Sequence, residues 1–295
     1  MAQTINTNLV SLNAQRNLTA SQSLLNTSMQ RLSSGLRVNS AKDDAAGLAI
    51  AERMNTQVRG MNVAMRNAND AISLAQVGEG ALGKVSDILQ RMRELAVQAA
   101  NGTNTLDDRN SLNEEYVQLA QEATRTLGGT MFNGQPILGQ DTDYTFQIGA
   151  NNDATLDQIT VAGFNWAAPG PPVSLLLGTV VLTGTAVPPF VITGVDAAAG
   201  LLAAQGAITS LDAALTQINS QRGTFGAVQN RFENVIANLM VNSENQSAAR
   251  SRIMDADYAS ETANLSRAQI LQQAGNAMVA QANQLPQQVM ALLQR

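Results

Sequence analysis

Between Met54 and Ala99 the chain places apolar or small residues at helical spacing, with no proline to interrupt them. Met54, Val58, Met61, Met65, Ala68, Ile72 and Ala75 fall three and four apart, which draws one stripe along a helix. After a slip at Gly78 to Gly80 the stripe resumes with Leu82, Val85, Leu89, Met92 and Ala99. Such a helix is roughly 70 Å long, more than a globular domain needs. A narrow stripe of that length requires a partner to match.

The partner lies near the other end of the chain. Leu211, Ile218, Phe225, Phe232 and Leu239 repeat every seven residues, with Ile208, Leu215 and Ile236 on the neighbouring seam. The predicted fold is mainly α: a long, antiparallel, coiled-coil-like helical rod built from both chain ends, with a small β-hairpin region in the middle. Its rod seam is Met61, Ile72, Leu82, Leu89, Leu211, Ile218, Phe225 and Phe232.

Both termini carry weaker heptads. Leu18, Leu25 and Leu32 stand seven apart, and only Arg16 and Arg31 are charged between residues 1 and 36. At the far end Ala268, Gly275, Ala282 and Val289 alternate with Leu271, Met278, Leu285 and Leu292, with no charge from Ala268 to Gln294. Pro286 should kink or end that helix. Two nearly uncharged, amide-rich helices suit an assembly in which neighbours cover them. In an isolated chain they should be disordered, because one thin seam does not offset their conformational entropy.

Punctuation supplies the remaining elements. Gly35 should break the first helix, and Ser40 with Asp43 reads as the N-cap box of the second. The pair Asp43–Asp44 fits such a cap better than a metal site, since no third ligand is near in sequence. Asn101–Gly102 reads as an αL-type stop, and Thr105 with Asp108 as the start of a third helix. That helix puts Leu112, Tyr116, Leu119, Ala123 and Leu127 on one face and stops at Gly128–Gly129. Then the period drops to two. Tyr144, Phe146 and Ile148 alternate with Thr145 and Gln147, and Ile159 and Val161 follow a turn-rich stretch, which predicts a short hairpin.

From Gln158 to Val195 no residue is charged, and Pro169, Pro171, Pro172, Pro188 and Pro189 rule out a long helix there. This middle is too small for a core of its own and reads as a loop or hairpin lying on the rod.

Composition narrows the chemistry. The 295 residues are 44% hydrophobic but only 3% aromatic, which suits thin helix seams better than a thick core. Asn and Gln number 27 each, so amides dominate the polar surface. A net charge of −5 without a basic run argues against nucleic acid as a partner. Cys and His are absent, which removes disulfides, thiolate chemistry, the commonest general base and the commonest metal ligand. The only lysines, Lys42 and Lys84, sit in helical regions as surface charges. No catalytic set, cofactor site or metal site is expected, and the chain reads as a non-enzyme. The N-terminus has no basic start or apolar run, so a cleaved secretory signal is not expected. The longest apolar run, Val173 to Leu182, is about half of the ~20 residues a spanning helix needs, so no membrane insertion is expected.

The segments NTNLVSLNAQRNL, QRLSSGLRVNSAKDDAAGLAIAERM, LQRMRELAVQAANGTNT and RSRIMDADYASETANLSRAQILQQAG closely resemble bacterial flagellin. The resemblance covers nearly all of residues 1 to 152 and 204 to 295. It implies a structural subunit that polymerises into the flagellar filament and gives cell motility, located outside the bacterial cell. Residues 1–43 and 255–295 would form an inner tube on assembly, with a seam of Leu18, Leu25, Leu32, Leu271, Met278, Leu285 and Leu292. Residues 44–163 and 196–254 would form the rod with its hairpin, and 164–195 a short outer variable insertion. Partners implied are further copies of the chain, an export chaperone, the filament cap and hook-junction proteins, and host flagellin receptors.

Within QRMRELAVQ, Arg91 and Glu94 alone would be an ordinary solvated helix pair. The resemblance assigns Arg91, Leu95 and Glu115 to contact with the next subunit and with the animal Toll-like receptor. Leu292–Leu293 match leucines read by cytosolic immune sensors, although Gln294 separates them from the terminal Arg295. A hook–filament junction protein also has flagellin-like ends, but the full RELAVQ run and intact third helix favour the filament subunit. A secreted membrane translocator is a different class, and the prolines of the uncharged middle deny it a span.

Overall fold

The computed structural model describes residues 8–139, 143–165, 192 and 197–293, without the side chains of 197–199 and 285–293. Among the described residues five helices and four short strands follow in order: α1 (Leu9–Ser34), α2 (Ala45–Ala99), α3 (Leu106–Gly129), β1 (Met131–Phe132), β2 (Gln135–Pro136), β3 (Tyr144–Gln147), β4 (Gln158–Val161), α4 (Ala197–Met254) and α5 (Tyr258–Leu293). The fold is mainly α, with long antiparallel helices drawn from both chain ends and a small β region between them. Two compact units divide the chain: Met1–Val58 with Glu244–Arg295, and Arg59–Ser243.

The core of the unit Arg59–Ser243 is set by α2. Met61, Ala64, Ala68, Ala71, Ala75, Gly78, Leu82, Val85, Leu89, Met92, Ala96 and Ala99 are all buried, and they alternate three and four apart without a break. The expected slip at Gly78 is therefore absent. A Cβ at Gly78 would meet the Phe225 ring at 3.0 Å and Ile137 at 3.5 Å, so the glycine holds register by making room for that ring. The alanines at 64 and 71 belong to the stripe, whereas Met65 and Ile72 flank it.

On α4 the buried line is Ala204, Ala207, Leu211, Ala214, Ile218, Phe225, Phe232 and Leu239, with Ile208, Leu215 and Ile236 packed partly buried beside it. The two helices run antiparallel, since Arg93 meets Asp212 while Glu79 meets Gln229. Their matched seven-residue repeats make this the coiled-coil seam that the pattern predicts.

Helix α3 closes the bundle through Tyr116, Ala120, Ala123 and Leu127. Its capping box is formed as expected: the Thr105 hydroxyl accepts from the Asp108 N–H, and the Asp108 side chain accepts from the Thr105 N–H. The turn before it differs from expectation. Helix α2 ends at Ala99, and among the described residues positive φ occurs only at Gly35, Asn133 and Gly134, so Asn101–Gly102 is not an αL stop. Hydrogen bonds from the Asn101 N–H and the Asn104 side chain to the Gln98 carbonyl close the turn instead. At the other end α3 runs through both glycines and stops at Thr130 in extended conformation.

Two hairpins follow. Asn133 and Gly134, at φ 49° and 76°, form the tight turn of β1–β2. Strand β3 pairs β4 from Tyr144↔Val161 to Gln147↔Gln158. The Phe146 ring meets Phe232 edge-on at 5.7 Å, and the Asn67 side chain donates to the Gln147 carbonyl at 3.0 Å, which pins the hairpin to α4 and α2. Most of the uncharged middle expected as an outer loop lies outside the described residues. Of the expected insertion 164–195, Phe164 and Ile192 are described and buried in this core, and the Ile192 N–H donates to the Asn113 side chain.

The unit Met1–Val58 with Glu244–Arg295 is organised by α1 and α5, which pair antiparallel. The Ser11 hydroxyl donates to the Asn283 side chain at 2.8 Å, Leu18 approaches Gly275, and Arg31 lies 3.7 Å from Glu261. The terminal segments expected to be disordered in an isolated chain are thus helical from Leu9 and as far as Leu293. Pro286 does not end α5. Of the expected seam, Leu18, Leu25 and Leu32 are half-buried and Ala268 and Ala282 buried, but Leu271 and Met278 are not in it. Gln272 and Val279 take the inward positions, leaving Leu271 46% and Met278 60% exposed. Small and polar groups let the two helices approach closely, so the larger apolar chains turn outward. The side chains of Leu285 and Leu292 lie outside the described residues.

Gly35 ends α1 at φ 70°, as its position predicts, and donates to the Arg31 carbonyl. The chain then pins the end of α4: Arg37 donates to the Ile253 carbonyl, and the Arg37 and Val38 N–H groups both donate to Met254. Ser40 and Asp43 form a turn ahead of α2 rather than its cap. The cap is Asp44, whose side chain accepts from the Gly47 N–H at 2.7 Å.

Because Phe225 is fully buried against Gly78, Phe225→Ala should cost about 3–5 kcal/mol and lower the thermal unfolding midpoint sharply. An unchanged unfolding curve would contradict this packing.

Candidate subunit and receptor surface

Helix α2 presents Arg91 on its solvent side, where it bridges to α3. Its Nε donates to Glu115 Oε1 at 2.9 Å and its Nη1 to Glu94 Oε2 at 3.0 Å. These two carboxylates raise the Arg91 pKa, Glu115 more strongly, and keep the guanidinium charged. Two residues on, Arg93 points to the other neighbour and donates to both oxygens of Asp212 on α4, at 2.6 and 3.4 Å. The adjacent arginines therefore brace α2 against both its partners.

Of the three residues assigned to this surface, Arg91 and Glu115 are side by side, with their side chains 50% and 46% exposed. Leu95 is a correction, because it is only 1% exposed and belongs to the hydrophobic core. The accessible apolar residue of this run is Val97, 50% exposed. Its position outside the three-and-four stripe of α2 is the signal that could have found it.

The buried Arg109 of α3 was not legible in the sequence. Its Nη2 donates to the Asn101 carbonyl, and a Cβ on Gly200 would fall 2.5 Å from its Nη1, so α4 carries a glycine where the guanidinium passes. Among the described residues no group of three or more acidic side chains could hold a metal ion. No helix among them is long and apolar enough to cross a membrane.

The pattern of the bacterial flagellin N-terminal helical region matches residues 5–142, and that of the C-terminal helical region matches residues 208–293. The chain belongs to the flagellin family. A flagellin of Halalkalibacterium halodurans is 44% identical over 294 residues, covering 98% of this chain and 99% of its own. A flagellin of Xenorhabdus nematophila is 44% identical over 312 residues, covering 99% and 100%. A solved Bacillus cereus flagellin is 36% identical at a TM-score of 0.46, covering 63% of this chain and 94% of that one. In this flagellin the uncharged, proline-rich stretch falls between the two family regions.

Two expected outcomes separate surface from core here. Arg91→Ala breaks only half-exposed ion pairs, so the thermal unfolding midpoint should stay nearly unchanged. Leu95→Ala empties a core position and should cost about 2–5 kcal/mol in the same measurement.

The cap of α3, which positions Glu115, is pH-sensitive. The Thr105 hydroxyl, then its N–H, hold the Asp108 carboxyl below its ordinary value. A depressed carboxyl stabilises the fold above its unfolded pKa of about 3.9, and that contribution is lost as pH falls through the lower folded value. Asp108→Asn should therefore narrow the loss of unfolding midpoint over that acid range; identical curves for both proteins would remove Asp108 from the account.

Proposed function

We propose that this chain is the structural subunit of a bacterial flagellar filament, polymerising outside the cell and so giving motility. The observation that carries the reading is the outward-facing apolar chains of α1 and α5. Leu9, Leu12, Leu24 and Met29 on the first, and Ile270, Leu271 and Met278 on the second, are all exposed on helices with almost no charge. An apolar surface of that kind calls for cover. Further copies of the same chain supply it when residues 1–43 and 255–295 line an inner tube. Residues 44–163 with 196–254 then form the surrounding layer, and 164–195 the outer insertion.

In this reading Arg91 and Glu115 form the axial contact with the next subunit, with Leu95 supporting them from beneath. The same exposed pair is the contact for the host receptor on the free subunit. Before assembly an export chaperone covers the C-terminal helix, and the cap and hook-junction proteins meet the same terminal helices at the filament ends. The chain has no catalytic role.

Deleting residues 1–36 or 268–295 should abolish polymerisation while Arg59–Ser243 keeps its cooperative unfolding. Seeded growth followed by electron microscopy measures the first and calorimetry the second. Long filaments from either truncated protein would overturn the inner-tube reading.

A further inference from the structure

The sequence contains two Asn–Gly pairs, Asn101–Gly102 and Asn133–Gly134, and the fold treats them oppositely. We propose that Asn101 is a site of spontaneous deamidation in the folded protein, promoted by its own surroundings, whereas Asn133 is protected.

In such a reaction the Gly102 nitrogen loses its proton to solvent base and attacks Asn101 Cγ. A carbon–nitrogen bond forms and negative charge collects on Oδ1. The Cγ–Nδ2 bond then breaks, and ammonia leaves with a proton from solvent. Water opens the resulting succinimide to aspartate or isoaspartate, so one water is consumed and one ammonia released. No oxidant or cofactor is involved.

Three features of the α2–α3 turn favour these steps. First, Asn101 and Gly102 are exposed, and no atom beyond the two chain neighbours lies within 4 Å of where a Gly102 Cβ would stand, so the rest of the fold does not crowd the attack. Second, the Thr103 N–H donates to Asn101 Oδ1 at 3.4 Å, the atom on which the charge develops. Third, the Arg109 guanidinium donates to the Asn101 carbonyl at 3.4 Å. That carbonyl shares its peptide unit with the Gly102 N–H, so the cation stabilises the deprotonated amide. Both bonds are long at rest and strengthen as charge grows. The negative end of α2 opposes the reaction, but its partial charge is about half that of the guanidinium.

Asn133 shares the first feature, since it and Gly134 are exposed and the space beside Gly134 is open, but its backbone is held differently. Asn133 and Gly134 are fixed at φ 49° and 76° between the paired residues Phe132 and Gln135. Swinging the Gly134 nitrogen toward Asn133 Cγ requires breaking that turn.

The test is incubation of the intact protein at mildly alkaline pH, with and without urea, followed by peptide mass mapping of both sites. In the folded protein Asn101 should convert at least about tenfold faster than Asn133, a barrier difference of about 1.4 kcal/mol. In urea the two rates should converge. Equal rates in the folded protein, or a folding-induced slowing of Asn101 as large as that of Asn133, would overturn the proposal. Arg109→Met, checked for folding by circular dichroism, should slow Asn101 several-fold and leave Asn133 unchanged. A folded variant with an unaltered Asn101 rate would remove Arg109 from the mechanism.

Discussion

The seven-residue match between α2 and α4 is the constraint on which the unit Arg59–Ser243 depends. A helix of 55 residues has no stability of its own in proportion to its length; its seam against a partner holds it straight and in register. Because α2 keeps its alternation through Gly78, the bulky Phe225 of α4 finds one place to sit. Everything else in this unit is hung from that pairing. Helix α3 covers the seam through Tyr116 and Leu127, and the hairpin β3–β4 is fixed by Phe146 on Phe232.

The unit that holds both termini uses the opposite solution. Its helices α1 and α5 meet through serine, alanine, glycine and amide groups beside the half-buried Leu18, Leu25 and Leu32, with a partly buried ion pair, Arg31–Glu261. Small side chains give close approach but little apolar area. The larger apolar chains, Leu24, Met29, Ile270 and Met278, therefore remain outside. One unit spends its hydrophobic residues on its own fold, and the other keeps them for a surface.

Long periodic elements were legible in the sequence because repetition averages out local exceptions. Both long helices, the Thr105–Asp108 cap, the Gly35 stop and the hairpin from Tyr144 to Val161 follow from spacing and turn chemistry alone. What failed depended on details that periodicity does not carry. Gly78 looked like a slip because a glycine in a stripe can also be the space for a ring. Leu271 and Met278 looked like seam residues because size suggested it, but close helix approach selects Gln272 and Val279. Leu95 lies one turn from Arg91 and only about 40° further round the helix, yet that small step crosses the boundary between surface and core. Arg109 was invisible because an exposed arginine and a buried one are spelled alike.

The antiparallel pairings also carry a kinetic consequence. Glu79 is joined to Gln229 across 150 residues, Arg37 to Ile253 across 216, and Ser11 to Asn283 across 272. Closing such long spans delays the reward of contact, and topologies of high contact order fold slowly. During synthesis α2 emerges with its apolar stripe complete and its partner not yet made. The stripe of α2 therefore stays open to solvent until α4 has been translated, and α1 finds α5 later still.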